Sequence, residues 1–485
     1  MRQHSIKYNF LMNLLLSMSQ IIFPLITFPY VSRILLAEGN GKVTFATSAA
    51  SYFLLIASLG IPTYGIRACA QVRNDKKKLS KTVHEIFIIN AVTTCIVMIV
   101  YIVAVLTIPK FKMEKTLFLI NGLNILFNMF GMNWLFQGLE QYDYITIRSI
   151  AFKFISLILM FIFVHQQDDY IIYGGILVFA AVGANFLNLY RTRQYIDFKY
   201  VGKYSFKNHL KPIFILFAQS LAVSIYTNLD TIMLGFIKTD IDVGYYNAAV
   251  KIKTVLISLV TSLGNVLLPR MSFYVKENKS KEFLGTMQAA LNFTMLLSIP
   301  LAIYFSLFSK DAISFLAGNG YDGAVISMRI ITISVIPIGI TGILGVQVLT
   351  ALEKEKYVLY SVSVGAVIDL ILNSILIPYY GSAGASIATV IAEFSVLIVQ
   401  IIYTKELLEK VFRNLRGHIY LVISICAGIF AYGIKFLRIE SSFINLMISG
   451  IIFGTVYICG LILFREKYII DFMKKLEIKG KLMKG

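Results

Sequence analysis

Charged residues make up only 15% of this 485-residue chain, and acids are outnumbered by bases, 26 to 45. A soluble domain needs a larger polar share to cover its surface, so this scarcity excludes an ordinary water-soluble protein. Cysteine is sparse too. Cys69, Cys95, Cys426 and Cys459 lie far apart, in or beside apolar runs, which excludes a cysteine metal knuckle and implies no disulfide pairing. The five histidines (His4, His84, His165, His209, His418) are scattered, and no nucleophile elbow or metal cluster accompanies them. The stretch Gly39-Asn-Gly-Lys-Val fails as a phosphate-binding loop, because Leu36 replaces its first glycine and Val43 its Ser or Thr. The chain therefore carries no ATP motor of its own. Polar links are short throughout, so no extramembrane domain can house an active site, and the expectation is a protein that is not an enzyme.

What the chain has in excess is hydrocarbon. Hydrophobic residues account for 57%, and the mean hydropathy is +0.75. They fall in runs of about 20 residues, the length that crosses roughly 30 Å of bilayer core. A segment with no water to bond its backbone must be helical, so the expected fold is all-α and polytopic. About fourteen transmembrane helices are predicted, at roughly 8–34, 43–66, 84–108, 116–138, 145–165, 169–190, 211–236, 244–270, 284–308, 323–351, 357–378, 382–404, 417–437 and 442–464. The first run, from Tyr8, is too long for a signal segment and lacks a small-residue cleavage site, so it is read as retained.

The net charge of +19 resembles a nucleic-acid footprint until it is mapped. With the N-terminus inside, about 32 Lys and Arg fall in inward loops and tails and about 9 in outward ones. That bias predicts both termini in the cytoplasm, with the lipid bilayer as the partner and no nucleic acid. An internal repeat is also visible. Gly138-Leu-Glu-Gln-Tyr-Asp-Tyr resembles Ala351-Leu-Glu-Lys-Glu-Lys-Tyr, and the same offset of about 213 residues brings Tyr190-Arg-Thr onto Tyr403-Thr-Lys. The expected organisation is a six-helix lobe over 1–200, a second over 201–412, and two additional helices with a basic tail over 413–485.

Ionisable groups at membrane depth are costly, about 2.5–3.5 kcal/mol each on insertion scales, and face a cavity or a partner. The boundaries above place Lys153, Lys251, Lys253, Arg329, Asp230, Asp369 and Glu393 there, with Arg33, Arg67 and Arg148 near helix ends. The acids all fall in the second half. Each group is open to two readings, cavity lining or internal ion pairing. Polar stripes follow helical spacing: Asn9, Asn13, Ser17, Gln20, Pro24 and Thr27 on the first helix, Asn121, Asn124 and Asn128 on the fourth, and Asp369 with Asn373 on the eleventh. They serve either as interhelical glue or as a wet cavity wall. Pro24 and Pro29 permit a bend in the first helix.

Several segments, taken in order, carry a family resemblance: Phe28-Pro-Tyr-Val-Ser-Arg-Ile-Leu with Gly39 and Gly41 following, Gly60-Ile-Pro-Thr-Tyr-Gly-Ile-Arg, and Trp134-Leu-Phe-Gln-Gly-Leu-Glu-Gln-Tyr. After them come Asn228-Leu-Asp-Thr-Ile-Met-Leu-Gly, Val243-Gly-Tyr-Tyr-Asn-Ala-Ala, Leu268-Pro-Arg, Asp369 with Asn373, and Gly381-Ser-Ala-Gly-Ala-Ser leading to Glu393. Each is loose alone, but the ordered set resembles the Wzx-type polysaccharide flippases of the larger superfamily that includes the MATE exporters and lipid II flippases. The resemblance covers the first twelve helices. It implies two six-helix lobes around a cavity that opens alternately to each side. The implied cargo is an undecaprenyl-diphosphate-linked oligosaccharide of an O-antigen or capsule pathway, with other polysaccharide assembly proteins as partners. It also implies a cationic cavity, matched here by Arg33, Arg67, Arg148, Lys153, Lys251, Lys253 and Arg329; a diphosphate in a low-dielectric site needs such partners. Asn13, Gln20, Asn124 and Asn128 are the polar-stripe candidates for the cavity wall. No cofactor is implied; a proton or sodium gradient is the implied driver, with Asp230, Asp369 and Glu393 as coupling candidates.

Two rivals remain. A MATE-type multidrug or cation antiporter shares the fold but favours acids in its cavity, which the basic first half opposes. A membrane-embedded polysaccharide polymerase or acyltransferase needs a substantial outward loop, and the longest, about 309–322, offers little.

Overall fold

A computed structural model describes residues 6–262, 264–437 and 439–466; the N-terminal Arg2 and the basic tail beyond 466 lie outside the described residues. Among those residues the regular structure is helical, as expected. Among the described residues nine stretches are long and apolar enough to cross a membrane. Two of them are broken within by non-helical backbone: Tyr8–Val72 at Leu36 and again at Leu59–Gly60, and Glu355–Asn414 at Gly381. The additional helices Lys115–Asn128, Lys207–Ile237 and Asp240–Thr261 also fall in expected spans. Side chains such as Phe10, Ile99, Ile147 and Ile429 are more than half exposed, the outward greasiness that hydrocarbon solvent requires.

The chain divides into two compact units, Met1–Asn247 and Ala248–Gly485. In the first unit, the helix Ile6–Ser58 turns at Leu36, with φ 54° and ψ −171°, a region that strongly favours glycine. The Asn40 amide donates to the Leu36 carbonyl at 3.1 Å and supports that turn. Pro24 and Pro29 sit inside the helix, but the break comes after them. Gly41 and Gly244 explain the glycine pattern that follows. A Cβ on Gly41 would lie 1.6 Å from the Asp240 carbonyl oxygen, and one on Gly244 would lie 2.0 Å from that of Ala37. Two backbones thus meet where only glycine fits.

Lys76–Thr107 begins where the Asp75 carboxylate accepts the N–H groups of Lys77 and Lys78, at 3.0 and 3.1 Å. Those bonds hold the Asp75 carboxyl below its ordinary range. The Tyr101 hydroxyl donates to the Phe118 carbonyl (2.7 Å) and ties this helix to Lys115–Asn128. In the second unit, Gly417–Tyr432 and Ser442–Leu463 dock on Ser280–Leu307. Tyr304 donates to the Leu446 carbonyl at 2.7 Å, Tyr457 donates to that of Leu296 at 2.9 Å, and buried Ile423, Phe453 and Leu461 fill the seam.

Candidate functional site

Three cavities take in four of the residues that the sequence singles out, Gln20, Lys153, Asn128 and Arg329. The first lies in the N-terminal unit between Ile6–Ser58, Tyr142–Phe163 and Tyr170–Val182, and has a volume of about 220 Å³. Gln20, Pro24 and Thr27 of the first helix line it, together with Lys153, Ser156 and Tyr173. The Lys153 ammonium donates to the Ser19 hydroxyl at 2.9 Å and stands 5.9 Å from the Phe23 ring centroid. Among the described residues no carboxylate comes within ion-pair distance of it. The structure therefore joins Gln20 and Lys153 in one chamber whose walls are mainly apolar.

The second cavity, about 190 Å³, is also in the N-terminal unit and is lined by Ser58, Asn90, Asn128, Asn133, Trp134 and Gln137, among others. Asn128 reaches it from the predicted stripe. Arg148 is buried beside it and donates to the Asn133 side-chain oxygen at 2.9 Å. The guanidinium also stands 5.6 Å from the Tyr144 ring, against which Arg191 lies at 4.2 Å. Two arginines thus share one aromatic ring, a cation–π arrangement that tolerates positive charge with little water. The other two N-terminal cations are exposed: Arg33 donates to the Pro29 carbonyl in its own helix, and Arg67 lies over the Tyr64 ring at 5.6 Å. Asn13 is exposed and Asn124 half-buried. Asp230 is buried and accepts from the Tyr246 hydroxyl.

The third cavity belongs to the C-terminal unit and, at about 530 Å³, is larger than the other two. Arg329 lines it with Ile303, Ile425 and Tyr432, and Lys435 completes its polar end. Lys251 and Lys253 are half-buried elsewhere in this unit. Asp369 is buried and accepts from the Asn373 amide at 3.1 Å, the pair expected from their spacing; Glu393 is buried on the following helix segment.

Sequence reasoning missed one buried polar network. The His209 ring joins the Tyr64 hydroxyl at 2.6 Å to the Glu85 carboxylate at 2.8 Å, although these residues are more than 120 positions apart or on different helices. Glu85 is an acid in the first half that the span boundaries placed near a helix end; only the fold shows it 4% exposed. Among the described residues no group of three or more His, Cys, Asp or Glu could hold a metal ion.

Apolar outer faces and internal cavities that carry a few polar and charged side chains mark a multi-pass, all-α membrane protein of the carrier type. The sequence profile of the polysaccharide biosynthesis protein family matches residues 6–275, more than half of the chain, and the chain belongs to that family. The MatE profile matches residues 216–375. Among curated relatives, an Escherichia coli (strain K12) protein named "Putative O-antigen transporter" is 24% identical over 80% of this chain and 94% of its own length. A Shigella dysenteriae protein of the same name is 25% identical over 81% and 98%. Among solved structures, an inward closed conformation of the lipid II flippase MurJ has a TM-score of 0.75 at 16% identity, covering 94% of this chain and 99% of the other. An inward-facing MATE family multidrug transporter follows at 0.64 and 11%, covering 83% and 99%. The structural likenesses show a shared fold.

Proposed function

We propose that this chain is a flippase that carries undecaprenyl-diphosphate-linked oligosaccharide units across the bacterial inner membrane by alternating access, driven by a proton or sodium gradient. The observation that carries the proposal is Lys153. It stands eleven residues into Tyr142–Phe163, about 16 Å along the helix axis and near the middle of a 30 Å core. There it faces a chamber with a hydroxyl as its hydrogen-bond partner. A full positive charge in such surroundings suits a cargo that brings its own negative charge. Family membership and the names of the curated relatives point to the same class of cargo.

The buried acids Asp230, Asp369 and Glu393, and the MatE match across 216–375, support a cation-exchange reading as the rival. They serve equally as the ion-coupling groups of a flippase. The remaining cations, Arg33, Arg67, Arg148, Lys251, Lys253 and Arg329, are proposed to guide the diphosphate. On this reading the lobes span 1–200 and 201–412, and both termini are cytoplasmic. The test is reconstitution in proteoliposomes with a pH or sodium gradient. Movement of a fluorescent undecaprenyl-diphosphate oligosaccharide between leaflets supports the proposal. Gradient-driven exchange of ethidium with no lipid movement overturns it in favour of the rival.

A further inference from the structure

The 190 Å³ cavity of the N-terminal unit differs in character from the other two. No charged side chain lines it, so it does not match an ion. Four amides line it, those of Asn90, Asn128, Asn133 and Gln137, together with the Ser58 hydroxyl. An amide both donates and accepts, which is what a ring of sugar hydroxyls requires and what a hydrocarbon or a drug cation does not. Trp134, Ile61, Pro62 and Met132 supply an apolar wall for the C–H face of such a ring. At about 30 Å³ per water the space equals roughly six waters, enough for one sugar ring but not for a chain of them.

The orientation of Asn133 is fixed by its neighbours. Arg148 can only donate, and both it and the Asn188 amide bond the Asn133 oxygen, at 2.9 and 3.2 Å. The Asn133 NH₂ is thereby left to the exposed side of the residue, which lines the cavity. The same bond places a buried guanidinium directly behind the amide wall. Trp134 is held flush on the backbone of Gly65, where a Cβ would come within 2.7 Å of the indole ring.

We infer that this cavity is a saccharide subsite, which takes the sugar joined directly to the lipid diphosphate while Arg148 lies toward the phosphates. The inference rests on the flippase reading. Its elements are the end of Ile6–Ser58, the start of Ile61–Val72, Asn90 in Lys76–Thr107, and the segment from Asn128 to Gln137. The charge bias places these at the cytoplasmic end of the bundle, where a cargo assembled inside the cell would be loaded.

Trp134 is the single tryptophan of the sequence, so its fluorescence reports on this cavity alone. The detergent-purified full chain is titrated with bare undecaprenyl diphosphate and with the same lipid carrying glucose, galactose or N-acetylglucosamine. At least one glycolipid is expected to shift the Trp134 emission and to bind about tenfold more tightly than the bare lipid. Asn128→Ala and Gln137→Ala are expected to remove that advantage while leaving affinity for the bare lipid and the thermal midpoint unchanged. Gln137→Leu, which keeps the volume, repeats the test should the alanine variants be unstable. Equal binding of all four lipids, or an advantage that survives in every variant, overturns the subsite but leaves the flippase reading standing. Binding of none of the lipids overturns both.

Discussion

Replacing Lys153 with methionine separates a charge kept for cargo from one kept for structure. A cation near the bilayer centre costs about 2.5–3.5 kcal/mol on insertion scales. Its bond to the Ser19 hydroxyl, a hydrogen bond to a charged group, returns about 1.5–3 kcal/mol. The two nearly cancel, so Lys153→Met should change stability by no more than about 1 kcal/mol, more often upward. Ser19 is not orphaned by the change, because its hydroxyl donates to the Leu16 carbonyl at 2.6 Å. Methionine is an unbranched chain of similar volume, so the 220 Å³ chamber that Lys153 lines is little changed. Transport should behave quite differently. Loss of one charged hydrogen bond to a phosphate, again about 1.5–3 kcal/mol, weakens cargo binding by about 10- to 150-fold. Lys153→Arg should keep part of the activity, since it keeps the charge with a different fork. The assay pairs thermal unfolding in detergent with leaflet transfer in proteoliposomes. Transport within twofold of the parent by a well-folded Lys153→Met protein would refute the reasoning. So would a loss of about 3 kcal/mol of stability, which is the signature of a broken buried ion pair.

Gly41→Ala should destabilise the N-terminal unit by at least the 1–3 kcal/mol typical of overpacking, because its new methyl meets the backbone carbonyl of Asp240 and no rotamer change relieves it; an unfolding midpoint unchanged from the parent would contradict the contact. Leu36→Gly should raise that midpoint, since strain at φ 54°, ψ −171° costs about 1–3 kcal/mol and a side chain already 38% exposed loses little by removal; a fall would show that the Leu36 side chain outweighs its backbone. For orientation, single-cysteine variants at Asn74 and Tyr200 should be shielded in intact cells from an impermeant thiol reagent, while Met113→Cys and Lys310→Cys should react. All four positions are exposed, so labelling with the opposite pattern would reverse the orientation and every depth derived from it.

The helices were legible because the bilayer imposes one constraint on every span: an apolar run of fixed length with its backbone bonds internal. Features set by local spacing carried over as well. Asp369 and Asn373, four residues apart, form the pair that helix geometry demands, and Gln20 meets the Lys153 chamber through the stripe it shares with Pro24 and Thr27. What sequence spacing cannot show is which faces of distant helices meet. Glu85 is the plainest example. Two turns into Lys76–Thr107 it looks like a solvated acid among the lysines of a helix start, and Lys81 does lie 4.0 Å from it. The fold instead turns it onto His209, in the first turn of Lys207–Ile237, and the pair is buried. Lys435 reads as an outward loop residue, yet its ammonium reaches the Leu307 carbonyl at 3.4 Å and shares a cavity with Arg329.

The glycines of Gly39-Asn-Gly-Lys invite the opposite error, in which a local motif is credited with local chemistry. Read along the chain they are a failed phosphate loop, and nothing nearby explains them. The reason for Gly41 lies some 200 positions away, beside the Val243-Gly-Tyr-Tyr segment, where Gly244 presses on Ala37 as Gly41 presses on Asp240. Asn40, between them, is consequently 3% exposed, although its position near a helix turn reads as open loop. A glycine on each side, Gly41 and Gly244, lets the two backbones touch, and in a membrane that closeness replaces the hydrophobic drive that lipid does not supply. A glycine pair in one helix and another far along the chain thus predict each other only when both are asked what must approach them. The same question applied to Gly65 leads to the indole of Trp134, and from there to the amide-lined cavity beside Arg148.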